Sequence, residues 1–177
     1  PVSDPVAIAL GAQPLDAEES VNASLGVVVQ IDGFSLTVDA YKIAIDDRIV
    51  LSENLTAANV RAFLTSQGFI GVGGGRFFIN GVDTETTGLD VVANFPVTTN
   101  SAGKFDVTLT ANFSDTKVTR VPTTAQLAAL SPSPVLFDRI NVLTFEQGTP
   151  DDKFTAAVNW SLGGFGATFR AVQYGEV

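Results

Sequence analysis

Phe105-Asp106-Val107-Thr108-Leu109-Thr110-Ala111-Asn112-Phe113 alternates apolar and polar side chains without a break. In an extended strand successive side chains point to opposite faces, so this stretch carries Phe, Val, Leu, Ala and Phe on one face and Asp, Thr, Thr and Asn on the other. The same period governs Val21 to Ile31. There Val21, Ala23, Leu25, Val27, Val29 and Ile31 share a face opposite Asn22, Ser24, Gly26, Val28 and Gln30. Phe34 to Ala40 sets Phe34, Leu36, Val38 and Ala40 against Ser35, Thr37 and Asp39. Leu89 to Phe95, Phe154 to Trp160 and Phe165 to Ala171 follow the same rule. About six strands result.

Past Ala40 the pattern blurs, since Lys42 falls on the apolar face and Tyr41, Ile43 and Ile45 on the other. A bulge or emergence from a bilayer would each produce this. Gly81, Asp83, Glu85 and Thr87 share a face with Leu89, Val91 and Ala93, as expected of a strand running far past a hydrocarbon layer. Asp32-Gly33 is a tight hairpin signal, while Asn100 to Lys104 and Gly163-Gly164 are short glycine-containing turns. Long loops, roughly Ser52 to Arg76 and Lys117 to Asp152, lie between the hairpins. Each holds a short helical signal, Ala57 to Thr65 capped by Thr56 and Ala125 to Leu130 capped by Thr123 or Thr124, expected as surface decoration.

The chain has 177 residues, 45% of them hydrophobic, and a formal charge of -9. That charge repels phosphate backbones and no basic cluster offsets it, which argues against nucleic acid as a partner. With no Cys and no His, disulfides, thiol nucleophiles, zinc-finger spacings and imidazole acid/base chemistry are excluded. The densest apolar run, Leu25 to Val29, is far too short for a membrane helix. No Met begins the sequence, so the chain is expected to be part of a longer protein.

Two all-β architectures remain: a secreted soluble sandwich binding a partner or carbohydrate through its long loops, and a transmembrane barrel. Apolar runs of about nine to eleven residues match a tilted membrane-crossing strand, where soluble strands average about five or six. The second faces, rich in Asp, Asn, Ser, Thr and Gly, suit a wet lumen better than a sandwich core. Aromatics at strand ends (Phe34, Phe95, Phe105, Phe113, Trp160 and Phe165) fit interfacial girdles as well as core placement. Short turns on one rim and long loops on the other is the outer-membrane layout. The smallest such barrels need about eight strands, so further strands are expected from elsewhere.

Several segments resemble the TonB-dependent outer-membrane receptors. They are Val38-Asp39-Ala40-Tyr41-Lys42-Ile43-Ala44-Ile45-Asp46-Asp47-Arg48-Ile49-Val50-Leu51, Asn80-Gly81-Val82-Asp83-Thr84-Glu85-Thr86-Thr87-Gly88-Leu89-Asp90 and Leu109 to Thr119. Glu146-Gln147-Gly148-Thr149-Pro150-Asp151-Asp152-Lys153 and Tyr174-Gly175-Glu176-Val177 add to them. The resemblance spans nearly the whole chain, in the order of the family's C-terminal half. It implies six long antiparallel strands out of a barrel of about 22 with a plugged lumen. It further implies import of scarce nutrients such as ferric siderophores in the bacterial outer membrane, with no cofactor. The implied partners are outer-membrane lipid and lipopolysaccharide, the remaining strands and plug of the parent chain, and a TonB-type energy-coupling protein. Residues 1–177 are then expected to be barrel alone, with the plug and final strands outside them.

Candidate site residues are few. Asp46-Asp47 and Asp151-Asp152 are hard-cation candidates without the multi-oxygen spacing of a calcium loop, and a solvated strand end fits them better. Arg48, Arg61, Arg76, Arg120 and Arg139, in or near the long loops, are candidates to contact an anionic siderophore or lipopolysaccharide, against ordinary surface charge. Asp83 and Glu85 form a glycosidase-like pair only if geometry cooperates. Gly71-Val72-Gly73-Gly74-Gly75 lacks the Lys-Ser/Thr of a phosphate loop and reads as flexible external loop. No catalytic and no metal residue is expected, and the ligand-binding residues are not specified by the sequence.

Overall fold

The computed structural model describes all 177 residues. They form one six-stranded antiparallel sheet in simple sequence order: β1 (Glu19–Ile31), β2 (Phe34–Leu51), β3 (Phe78–Thr99), β4 (Gly103–Arg120), β5 (Asp152–Leu162) and β6 (Phe165–Tyr174). A soluble sandwich is built from two packed sheets, whereas the strands here form a single sheet. β3 spans 22 residues, about 75 Å at 3.4 Å per residue, well beyond the roughly 30 Å of a hydrocarbon core. Asp32 (φ 45°) and Gly33 (φ 84°) both take positive φ, the geometry of a two-residue hairpin turn whose twist suits the strands it joins.

The chain divides into two compact units, residues 1–21, 44–85 and 117–146 and residues 22–43, 86–116 and 147–177. The second unit is sheet and hairpin turn almost throughout, and Ala157 is its only buried apolar side chain. Register carries the alternation across strands. Val107 pairs with Val158, which pairs with Phe169, and Leu109 pairs with Ala156, which pairs with Ala171. Offset by one residue, Asp106 pairs with Asn159 and Asn159 with Thr168. The apolar and polar faces of β4 therefore continue into β5 and β6, apart from Ala157 and Val172 on the polar face and Gln173 on the apolar one. On the apolar face Phe113 meets Phe154 edge-on at 5.5 Å between ring centres.

The first unit holds the long connections and four short helices are spread through the chain's loops: α1 (Pro5–Ala9), α2 (Ala58–Ser66), α3 (Ala125–Ala128) and α4 (Arg139–Gln147). The expected caps are partly corrected. Thr124 does accept from the Leu127 amide, but α2 begins after Ala57 with no side-chain cap, so Thr56 does not cap it. Asp4 caps α1 through the Val6 and Ala7 amides, and the Asp138 carboxylate takes the Asn141 amide at the start of α4.

These loops are more than decoration. Leu10, Leu55, Val60, Leu64, Phe77, Leu127 and Leu136 form a shared core in which Leu10, Val60 and Leu64 are fully buried. Val50, Val82 and Phe137 form a second cluster with Val142 and Phe145 of α4. The glycine-rich stretch read as flexible is tied at its end, because Gly75 and Leu55 exchange backbone hydrogen bonds.

Candidate functional site

The polar face of the second unit is cross-linked strand to strand. Asn94 donates to the Ser35 hydroxyl at 3.4 Å and accepts from the Thr108 hydroxyl at 2.7 Å, so β2, β3 and β4 are joined through one side chain. Asn112 donates to Asp90 at 2.5 Å, Thr86 and Thr116 share a 2.8 Å bond, and Thr168 donates to Asn159 at 2.8 Å. The Lys153 ammonium lies over the Tyr174 ring, 5.2 Å from its centre. Asn159 with Thr168 and Lys153 with Tyr174 are direct cross-strand partners in the register of β5 and β6.

Two further details fix this unit. A Cβ on Gly88 would lie 2.1 Å from Cζ of Tyr41, so the tyrosine ring rests directly on the glycine backbone of the next strand. The Trp160 indole donates to the Ala102 carbonyl at 2.6 Å, tying β5 to the turn between β3 and β4. The aromatic expected at a girdle thus has its polar edge satisfied.

In the first unit Asp47, within β2, is a non-glycine residue with φ 54°. Three partners hold it. Its amide donates to Asp83 at 2.9 Å, its carbonyl accepts from Asn80 at 2.7 Å, and its carboxylate receives Arg120 at 2.5 Å. Arg120 also forks onto Asp83, with Nε 2.5 Å from one oxygen and an Nη nitrogen 2.8 Å from the other. The guanidinium hydrogen-bonded to Asp83 holds that carboxyl below the ordinary carboxylate range, against a smaller opposing effect of burial. The two carboxylates in turn raise the Arg120 pKa further.

Carboxylates elsewhere in this unit also accept from strand amides. Glu18 accepts from Ile49 at 2.8 Å and Glu146 from Val118 at 2.9 Å. Part of the acidic composition therefore does structural work at strand ends.

The candidate residues separate accordingly. Arg120 is neutralised by two carboxylates, while Arg48 packs 4.7 Å over the Phe145 ring and donates to Thr84 at 3.1 Å. Arg61, Arg76 and Arg139 are exposed. Both Asp83 carboxylate oxygens are engaged, by Arg120 and by the Asp47 amide, and its lowered pKa runs against a general-acid role. Of the two acidic pairs, Asp47 is committed to Arg120.

What sequence reasoning missed is a hollow of about 300 Å³ in the first unit. Gln13, Asp16, Asn80, Thr123 and Gln126 border it. Asn80 is its fixed point, accepting from the Asp16 amide at 2.9 Å and donating to the Asp16 and Asp47 carbonyls at 3.0 and 2.7 Å. Its members come from three distant stretches without a motif, so only the fold assembles them.

A sheet with one uncovered apolar face, one hydrogen-bonded polar face and strands longer than a bilayer is thick is the wall of a membrane β-barrel. A family model described as TonB dependent receptor-like, beta-barrel, matches residues 2–177, and the chain belongs to that family. Members of the family are outer-membrane receptors and transporters rather than enzymes, generally of the bacterial outer membrane, working with a plug and a TonB-type protein. No curated protein and no solved structure matches the chain.

Proposed function

We propose that this chain is wall and outer loop of a receptor that imports a scarce nutrient, such as a ferric siderophore, across the bacterial outer membrane. In this reading the apolar face, with Val107, Leu109, Val158 and Phe169, meets lipid, and the polar face, with Asn94, Asp106, Thr108 and Asn159, lines the lumen. The loops of the first unit help capture the nutrient and meet lipopolysaccharide. The remaining strands and the plug come from the same longer protein, and the plug carries the contact to the TonB-type partner that supplies energy. The observation that carries this reading is the continuity of two opposite faces through β4, β5 and β6 in a sheet with one face left uncovered.

Cell fractionation and uptake test it. The receptor should be recovered in the outer membrane with heat-modifiable gel migration, and its deletion should abolish energy-dependent uptake of a ferric siderophore during iron starvation. Recovery as soluble protein in the periplasm or medium would end the transport reading. Outer-membrane recovery with unchanged ferric-siderophore uptake would reject iron as the cargo and leave the receptor class standing.

A further inference from the structure

We infer that the apolar face of β3 to β6 seats one lipid whose head group carries an ammonium, with an acyl chain in a groove of the wall and the ammonium at Asp151 and Asp152 above it. The inference rests on the receptor reading above and names a partner for the lipid-facing side of the same wall.

The groove encloses about 510 Å³, within the range of built ligand sites. Ala93, Ala111, Ala156 and Ala171 line it together with Leu109 and Phe154. Register explains the dent. Leu109 pairs with Ala156 and Ala156 with Ala171, while Ala111 pairs with Phe154. The bonds from Thr86 to Thr116, Asn112 to Asp90 and Thr108 to Asn94 set β3 against β4 so that Val91 lies beside Ala111 and Ala93 beside Leu109. Short side chains thus neighbour one another on four strands, among larger Val, Leu and Phe. A chain lying in the dent meets apolar atoms on several sides at once, which a flat wall does not offer.

Two residues further along β4, toward the long loops, Phe113 pairs with Asp152. A second hollow of about 450 Å³ lies there, bordered by Leu89, Phe113, Asp115, Asp151 and Asp152, and its lining includes no Lys or Arg. Asp115 is engaged within the chain, and Lys117 stands two residues beyond it on β4. Asp151 and Asp152 spend no carboxylate oxygen on the protein, so they carry the argument. Asp152 shares a face with Phe154, and a Cβ on Gly175 would lie 2.3 Å from its Oδ1, so the carboxylate rests over the Gly175 backbone.

An apolar groove that ends at unspent carboxylates is the complement of a cationic amphiphile. A head group with phosphate alone would be repelled, while an ammonium brings opposite charge and three N–H donors whose bonds are charge-assisted. A bare hard cation takes about six or more oxygens, more than two carboxylates supply. A second copy of the wall, related by a two-fold axis along the membrane normal, would set these carboxylates against their own equivalents.

The test uses the complete receptor in detergent, with phosphatidylethanolamine and phosphatidylglycerol of identical acyl chains as probes, since both carry a phosphate and only the first carries an ammonium. Native mass spectrometry should find phosphatidylethanolamine retained about tenfold more, the effect of one charge-assisted hydrogen-bonding group. Asp151→Asn combined with Asp152→Asn should bring the two lipids level. Ala156→Phe should fill the groove and lower retention of both. Heat-modifiable migration establishes that each variant folds. Equal retention of the two lipids by the unaltered receptor overturns the inference and leaves ordinary lipid contact. A preference that survives the double variant overturns it too, as does retention unchanged by Ala156→Phe. So does a preference abolished by EDTA, which would assign the carboxylates to a metal ion, or a dimer that Ala156→Phe dissociates, which would assign the groove to a second copy. A receptor recovered in the outer membrane without lipid preference removes this inference alone, whereas a soluble protein removes the receptor reading as well.

Discussion

Arg120 shows how much one side chain carries where strands part. It holds Asp83 and Asp47 together, and Asp47 keeps a left-handed backbone at φ 54° that β-branched residues resist. Asp47→Val should therefore cost about 1 to 3 kcal/mol in detergent-based unfolding, and Asp47→Gly clearly less. Arg120→Ala should cost about 1 kcal/mol or less, because Arg120 is 48% exposed and water screens the pair. The pH dependence has a definite sign. Asp83 has a depressed pKa when folded, so its contribution is complete above the unfolded carboxylate range near pH 4 and is lost as pH falls through the lower folded value. The stability gap between the unaltered protein and Arg120→Ala should be flat from about pH 8 to 5 and close below about pH 4. A gap that widens on acidification would contradict this assignment. The partnership was not legible in the sequence, since Arg120 and Asp83 lie 37 positions apart, although Asp47 is a residue type that tolerates positive φ.

At the level of elements, the strands and their faces were legible because a period of two needs no knowledge of partners. Phe105 to Phe113 and Val21 to Ile31 both lie inside observed strands, and the Asp32-Gly33 turn joins β1 to β2. The seat of Tyr41 on Gly88 was not legible, because it depends on register between β2 and β3. Gly88→Val should displace the ring and reduce the folded, heat-modifiable fraction. Adding Tyr41→Ala should restore part of it, a coupling that a double-mutant cycle measures. Simple additivity would show that the ring does not need the glycine. Facing has its own test. Leu109→Arg should disfavour membrane insertion by about 2 to 4 kcal/mol if the residue lies at mid-bilayer. Thr108→Arg, on the polar face, should lose only the hydrogen bond to Asn94, about 1 kcal/mol. Equal costs at both positions would reverse the facing.

Taken whole, the chain joins uncovered sheet to loops with a core of their own, and this second fact escaped the sequence. Leu10, Leu55, Phe77 and Leu136 come from separate stretches and share no period, so only folding reveals them as neighbours. Trypsin applied to intact cells should spare Arg120, which is locked in its cluster, and cut slowly at Arg61, which lies within α2. Leu64→Ala should remove about 2 to 5 kcal/mol of loop packing and speed cleavage at Arg61 and Arg76. Unchanged cleavage would mean the loop core contributes little to order. The cross-linked polar face has a consequence of a different kind. Asn94 bonds Ser35 and Thr108, and Asn112 bonds Asp90, so part of this wall's hydrogen-bonding capacity is spent within the sheet rather than on a passing molecule. A surface of that sort offers cargo few places to stick, and movement past it is limited by fit and hydration rather than by the breaking of successive bonds.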